Sequence, residues 1–232
     1  MLTAKKKISV RQAVPQSSSA DFFYNLQDWF KANTKIIIGA VLGIVAIVIV
    51  GYIYTSGKAA DELAANRELR KVQQLYQQQQ YRLAITGDPA QKIMGLEEIV
   101  EKYGGTPTGE VAMIYLGNSY LYSGELDKAM TAFEDASPDN DMLRAAAVAG
   151  EAAVTEARGN NADAAELFEK SAGIFDNELL SGERLICAGR NYGEAGNMEK
   201  AKEMLEKVKE SKNTKYHPDA ERLMAQFNLT EE

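Results

Sequence analysis

The chain has 232 residues, with 26 Lys and Arg against 33 Asp and Glu and a formal charge of −7. An acidic balance of this size excludes a protein that grips nucleic acid by broad phosphate neutralisation. One Cys and one His exclude an internal disulfide and a zinc site of three or four Cys/His ligands, and any triad needing either residue would have to use its single copy.

The charge is unevenly spread. Residues 1–57 hold six basic and two acidic side chains, a net +4, so residues 58–232 carry −11. Residues 1–19 are polar, basic and Ser-rich and read as a disordered tail. Residues 20–32 place Phe22, Phe23, Leu26, Trp29 and Phe30 at helical spacing, a short amphipathic helix able to lie at a membrane interface.

Ile36–Gly57, IIIGAVLGIVAIVIVGYIYTSG, is 22 residues without a charge. As a helix it would be about 33 Å long, against roughly 30 Å of bilayer hydrocarbon. Trp29 and Phe30 lie before it and Tyr52 and Tyr54 near its far end, where aromatic belts form. The run is longer than a signal-peptide core, and Ser56-Gly57-Lys58-Ala59-Ala60-Asp61 fits a cleavage site poorly, so an uncleaved anchor is expected. The excess of Lys and Arg before the span places the N-terminus in the cytoplasm and the body across the membrane. Gly39 and Gly43 form a G-x-x-x-G pair that lets a second membrane helix approach closely, although such glycines also occur in membrane helices without specific packing. The expected organisation is a basic tail and amphipathic helix over 1–34, a transmembrane anchor over 35–57 and a separate domain over 58–232.

From Lys58 onward the periodicity is helical, and no strand is expected. Helices are predicted near 60–86, 89–103, 107–123, 126–136, 139–158, 161–174, 178–195, 198–211 and 216–227, with Asp88-Pro89, Thr106-Pro107 and His217-Pro218 as starts. Gln77–Gln80 falls inside the first of these. Gly87, Gly124, Gly159 and Gly196 recur at spacings of 37, 35 and 37. Five residues after each come Lys92, Ala129, Ala164 and Ala201, and nine residues after come Leu96, Phe133, Phe168 and Leu205. The glycine permits a tight turn, the small residue a close helix crossing, and the large residue fills the gap toward the next repeat. With Leu116-Gly117-x-x-Tyr120 and Ala188-Gly189-x-x-Tyr192 upstream of two turns, this order resembles the tetratricopeptide repeat. The best unit covers residues 112–136. The fold expected is all-α: a single transmembrane helix, then a solenoid of helical hairpins closed by HPDAERLMAQF.

Residue chemistry offers little catalysis. Cys187 sits between Ile186 and Ala188 as a small core residue, and His217 sits at a helix start. Ser137-Pro138-Asp139-Asn140-Asp141 lacks the spacing, central Gly and final Glu of a calcium loop and reads as a turn and cap. No phosphate loop or catalytic constellation is present, so a non-enzymatic protein without cofactor, metal or small-molecule substrate is expected. The tetratricopeptide resemblance implies a peptide-binding groove lined by the first helices. Its groove positions fall on Ile114, Asn118, Leu121 and Tyr122 in the best repeat and on Ile186, Arg190 and Glu194 in a later one. The chaperone-tail clamp of that family is matched only at Asn118, since Ile114 stands where a Lys is needed. A mixed apolar groove suits an unfolded segment or a partner helix.

The layout as a whole resembles the YfgM-like family of ancillary subunits of the bacterial Sec translocon. Asp28-Trp29-Phe30-Lys31-Ala32-Asn33-Thr34-Lys35 running into the Gly-containing span carries the resemblance, together with Ala59-Ala60 and the degenerate repeats. The basic start over 1–19 departs from the family's short acidic one. The resemblance implies a single-pass inner-membrane protein with a periplasmic domain. It would work beside the Sec channel, a membrane-anchored prolyl-isomerase-like chaperone and secreted client polypeptides. A structural scaffold of a cell-envelope or division complex would have the same topology.

Overall fold

The structure, a computed structural model, describes residues 19–136, 138–175 and 177–229, with the side chains of all but 19–22, 53 and 54. Most of the basic tail, the Tyr54 side chain and Ser137 of the expected turn lie outside this set. The chain divides into two compact units after Ser56.

In the first unit, α1 (Ser19–Ala32) passes through Asn33 into α2 (Thr34–Gln77) without loss of the helical ladder: Asn33 N donates to Trp29 O and Ile37 N to Asn33 O, both at 3.0 Å. The apolar side chains of this stretch stand almost entirely open, Ile36 and Ile47 at 71% and 73% exposure. Among the described residues α2 is the helix long and apolar enough to cross a membrane.

The second unit begins within α2. Ala65, Leu69, Val72 and Leu75, three or four residues apart, form the buried stripe of its later half. Then follow α3 (Tyr81–Thr86), a β-hairpin of β1 (Gly87–Asp88) and β2 (Ile93–Met94), α4 (Leu96–Tyr103), α5 (Pro107–Tyr122), α6 (Leu126–Asp135), α7 (Asp141–Ala157), α8 (Asn161–Ile174), α9 (Glu178–Glu194), α10 (Met198–Glu210), a 3-10 turn (Thr214–Tyr216) and α11 (His217–Gln226). Each helix from α4 packs on the next, so the unit is a run of antiparallel hairpins. Caps mark the starts: Thr106 accepts from Gly109 N, Asn140 from Met142 N and Leu143 N, and Asn177 from Leu180 N.

From α5 onward the helices agree with their predicted bounds to within two residues, and the repeat register holds. Ala129, Ala164 and Ala201 are each fully buried, as is Leu205, with Phe133 and Phe168 nearly so. Gly124, Gly159 and Gly196 have φ of 82°, 83° and 83°, the left-handed turn that glycine permits. In each, the residue after the glycine donates to the carbonyl five back, as Glu125 N does to Tyr120 O at 2.9 Å.

The first repeat departs from expectation in three ways. The helix predicted over 60–86 stops at Gln77 and restarts at Tyr81, so Gln78–Gln80 is a break and not a helix interior. The cause is the same capping motif with Gln79 at φ 59° in the glycine's place: Gln79 N donates to Tyr76 O and Gln80 N to Leu75 O. The expected absence of strands is corrected by the two-residue antiparallel pairing of Gly87 with Met94 and Asp88 with Ile93. Asp88-Pro89 opens the tip of that hairpin, where Asp88 Oδ1 accepts from Ala90 N and Gln91 N, and does not start a helix. Lys92, at φ 54° in the same tip, therefore never reaches a helix crossing.

Candidate partner-binding site

The seven residues assigned to the groove lie on the first helices of two hairpins. Ile114, Asn118, Leu121 and Tyr122 share a face of α5, and Ile186, Arg190 and Glu194 recur every four residues on α9. α5 packs on α7, and α9 packs on α8 and α10.

On α5, Ile114 is 9% exposed within the largest apolar cluster, and Leu121 is half-buried against it. Asn118 is half-buried. Tyr122 is open at 59%, its ring stacked on Tyr81 at 4.8 Å. Tyr81 in turn meets Tyr76 edge-on at 5.4 Å, and Tyr76 meets Tyr115 at 4.8 Å. Burial, followed by the neighbouring phenols of Tyr122, Tyr81 and Tyr115, pushes the Tyr76 hydroxyl up to about 12. Sequence reading found Tyr122 and missed its three companions, because Tyr76 and Tyr81 come together only through the break at Gln78–Gln80.

On α9, Ile186 packs into the C-terminal apolar cluster. The Arg190 guanidinium donates to Glu156 Oε1 of α7 at 2.5 Å, and Glu194 accepts from Asn161 Nδ2 at 3.1 Å. The two polar candidates on α9 therefore also tie their repeat to the preceding one. In the first unit, Gly39 and Gly43 have open space where a Cβ would stand.

A second polar pattern was not singled out in the sequence, although its intervals are visible there. Tyr120 donates its hydroxyl to Glu97, 23 residues earlier, and lies beneath Lys128, 8 residues later, at 5.0 Å. Tyr192 repeats this with Glu169 at 2.6 Å and Lys200 at 4.9 Å. Each brace ties three successive helices together. Burial and then the carboxylate bond push both phenols above their ordinary range.

Reactive side chains are few among the described residues. Burial pushes the Cys187 thiol up to about 11, which removes the thiolate a nucleophile needs at neutral pH. The His217 ring lies 3.2 Å from the Ser211 carbonyl. Among the described residues no group of three His, Cys, Asp or Glu side chains is placed to hold a metal ion.

A family model described as the tetratricopeptide repeat-like domain matches residues 27–179, well over half of the chain. No curated protein and no solved structure matches it.

Proposed function

Because this chain belongs to the tetratricopeptide repeat-like domain family, we propose that it is a membrane-anchored, non-enzymatic adapter that binds polypeptides through the first helices of its repeats. The observation that carries this reading is the row on α5 ending at Tyr122, an exposed ring backed by three further tyrosines. Aromatic and Arg side chains dominate binding energy at protein interfaces, and Tyr122 with Arg190 supplies both kinds. The uncovered apolar run of α2 supports an anchor.

In the finer reading, the N-terminus is cytoplasmic and residues 58–232 lie in the periplasm. The resemblance at Asp28–Lys35 and the span supports a place beside the Sec channel and a membrane-anchored prolyl-isomerase-like chaperone, among secreted clients. The anchor raises the local concentration of the repeat domain near other membrane proteins, so weak contacts suffice.

Protease added to intact spheroplasts tests the topology. Residues 58–232 are expected to be digested while the N-terminal tail is spared. Protection of the repeat domain would reverse the orientation, and a mature N-terminus near Ala59 would replace the anchor with a cleaved signal.

A further inference from the structure

A second surface lies on the face of α5 turned away from Ile114, Asn118 and Tyr122. By helical periodicity Met113, Leu116 and Tyr120 point roughly opposite to those residues. There a groove of about 420 Å³ opens between α4 and α6, with an apolar floor of Val100, Met113, Leu116 and Ala132. The β-hairpin takes the place of the early part of a second helix, so α4 has 8 residues where α8 has 14 and α10 has 13. One end of the groove is fixed, since Tyr120 is held by Glu97 below and Lys128 above.

The rim is net acidic: its charged lining residues are Asp127, Lys128 and Asp135, and Glu97, which accepts from the Tyr120 hydroxyl, adds a carboxylate at one end. The lysine facing the groove, Lys128, is already paired with Glu125 at 2.8 Å, and Asp127 is taken by Arg158 at 2.6 Å. Asp135 lines the groove with no ion pair among the described residues.

We propose that this groove is a second docking site, taking a basic amphipathic helix from a partner polypeptide. An apolar floor with a net acidic rim is complementary to a helix with apolar residues on one face and Lys or Arg beside them. The 10 residues of α6 make a wall about 15 Å long, which matches roughly three turns of a partner helix. The net −11 of residues 58–232 draws a cationic segment toward the domain, and the groove supplies the register. The site is separate from the first-helix row, so two polypeptides can be held at once.

The test uses the full-length protein in nanodiscs of zwitterionic lipid, with empty nanodiscs as blank. The probe is a labelled 14-residue peptide with Leu at i, i+3, i+4 and i+7 and Lys elsewhere, compared with a scramble of the same composition. Saturable binding at least tenfold tighter than the scramble is expected. Thr131→Arg, an exposed change on the groove lining, should weaken it at least tenfold. Asp135→Lys should weaken it about threefold and flatten its salt dependence. Tyr122→Ala should leave it unchanged. Equal binding of the scramble, or of the peptide with a central proline, overturns the proposal, as does wild-type binding by both groove variants. Loss of binding in Tyr122→Ala alone overturns it too, and leaves the first-helix reading standing.

Discussion

Phe133 fits its place because two glycines face it. A Cβ on Gly117 would come 2.7 Å from the Phe133 ring and one on Gly150 2.3 Å, so both first helices can approach only without side chains there. Ala129, one turn earlier on α6, is fully buried in the same crossing. Ala129→Leu adds three carbons to a filled site and is expected to cost about 1–3 kcal/mol. Glu125→Leu removes a partly exposed pair with Lys128 and should stay within about 0.5 kcal/mol. Urea midpoints compare the two, and equal losses would show that the repeat register is misplaced. Glu62 offers a pH-dependent counterpart. Its carboxylate accepts from the amide of Thr108 at 2.9 Å and from the Thr108 hydroxyl, at the start of α5. Burial alone would raise this carboxyl, but the Thr108 and Thr106 bonds outweigh it, and it titrates below its ordinary range. A depressed folded value means that the stabilisation is complete above the unfolded value, about 4.3, and is lost as pH falls through the folded one. Glu62→Gln should therefore be less stable than wild type at pH 7, with the gap closing as the pH is lowered toward 3. A gap independent of pH would contradict this account.

At the scale of elements, the helix stops explain what was legible in the chain and what was not. Where a glycine sits at the stop, as at Gly124, Gly159 and Gly196, the turn, the crossing Ala and the filling Phe or Leu could be counted off at fixed intervals. The stop at Gln79 uses the same hydrogen bonds with no breaker residue, so Gln77–Gln80 read as continuous helix. That one break hid α3, the hairpin and the tyrosine cluster together, because Tyr76 and Tyr81 flank it. The helical spacing of Ile114, Asn118, Leu121 and Tyr122 on α5 and of Ile186, Arg190 and Glu194 on α9 was legible, being inherited from the repeat pattern. The ties of Arg190 to Glu156 and of Glu194 to Asn161 were not, since they depend on how one hairpin stacks on the last. The stop also yields a prediction. A left-handed backbone costs a non-glycine residue about 1–2 kcal/mol. Gln79→Gly should therefore raise stability by on the order of 1 kcal/mol, and Gly124→Gln should lower it by a similar amount. Thermal melts read both, and destabilisation by Gln79→Gly would mean that Gln79 makes contacts worth more than its strain.

At the scale of the whole molecule, an apolar helix that no described residue covers precedes a tetratricopeptide repeat-like domain on which Tyr122 stands exposed. Among the described residues no group of side chains is placed to hold a metal ion, and the proposed adapter role needs no reaction site: in that reading the apolar helix holds the molecule at a membrane and the repeats present side chains to a polypeptide. The most direct measurement is quantitative identification of proteins retained by the full-length chain after gentle extraction into native-lipid particles. Wild type is compared with the Tyr122→Ala/Arg190→Ala double variant and with Glu156→Gln, which breaks the Arg190 ion pair but keeps both groove residues. The account predicts that Sec channel subunits and a membrane-anchored chaperone are enriched with wild type and with Glu156→Gln, and depleted with the double variant while its helical content is unchanged. The same proteins retained by the double variant at wild-type levels, or no translocon subunit retained by wild type, would contradict it.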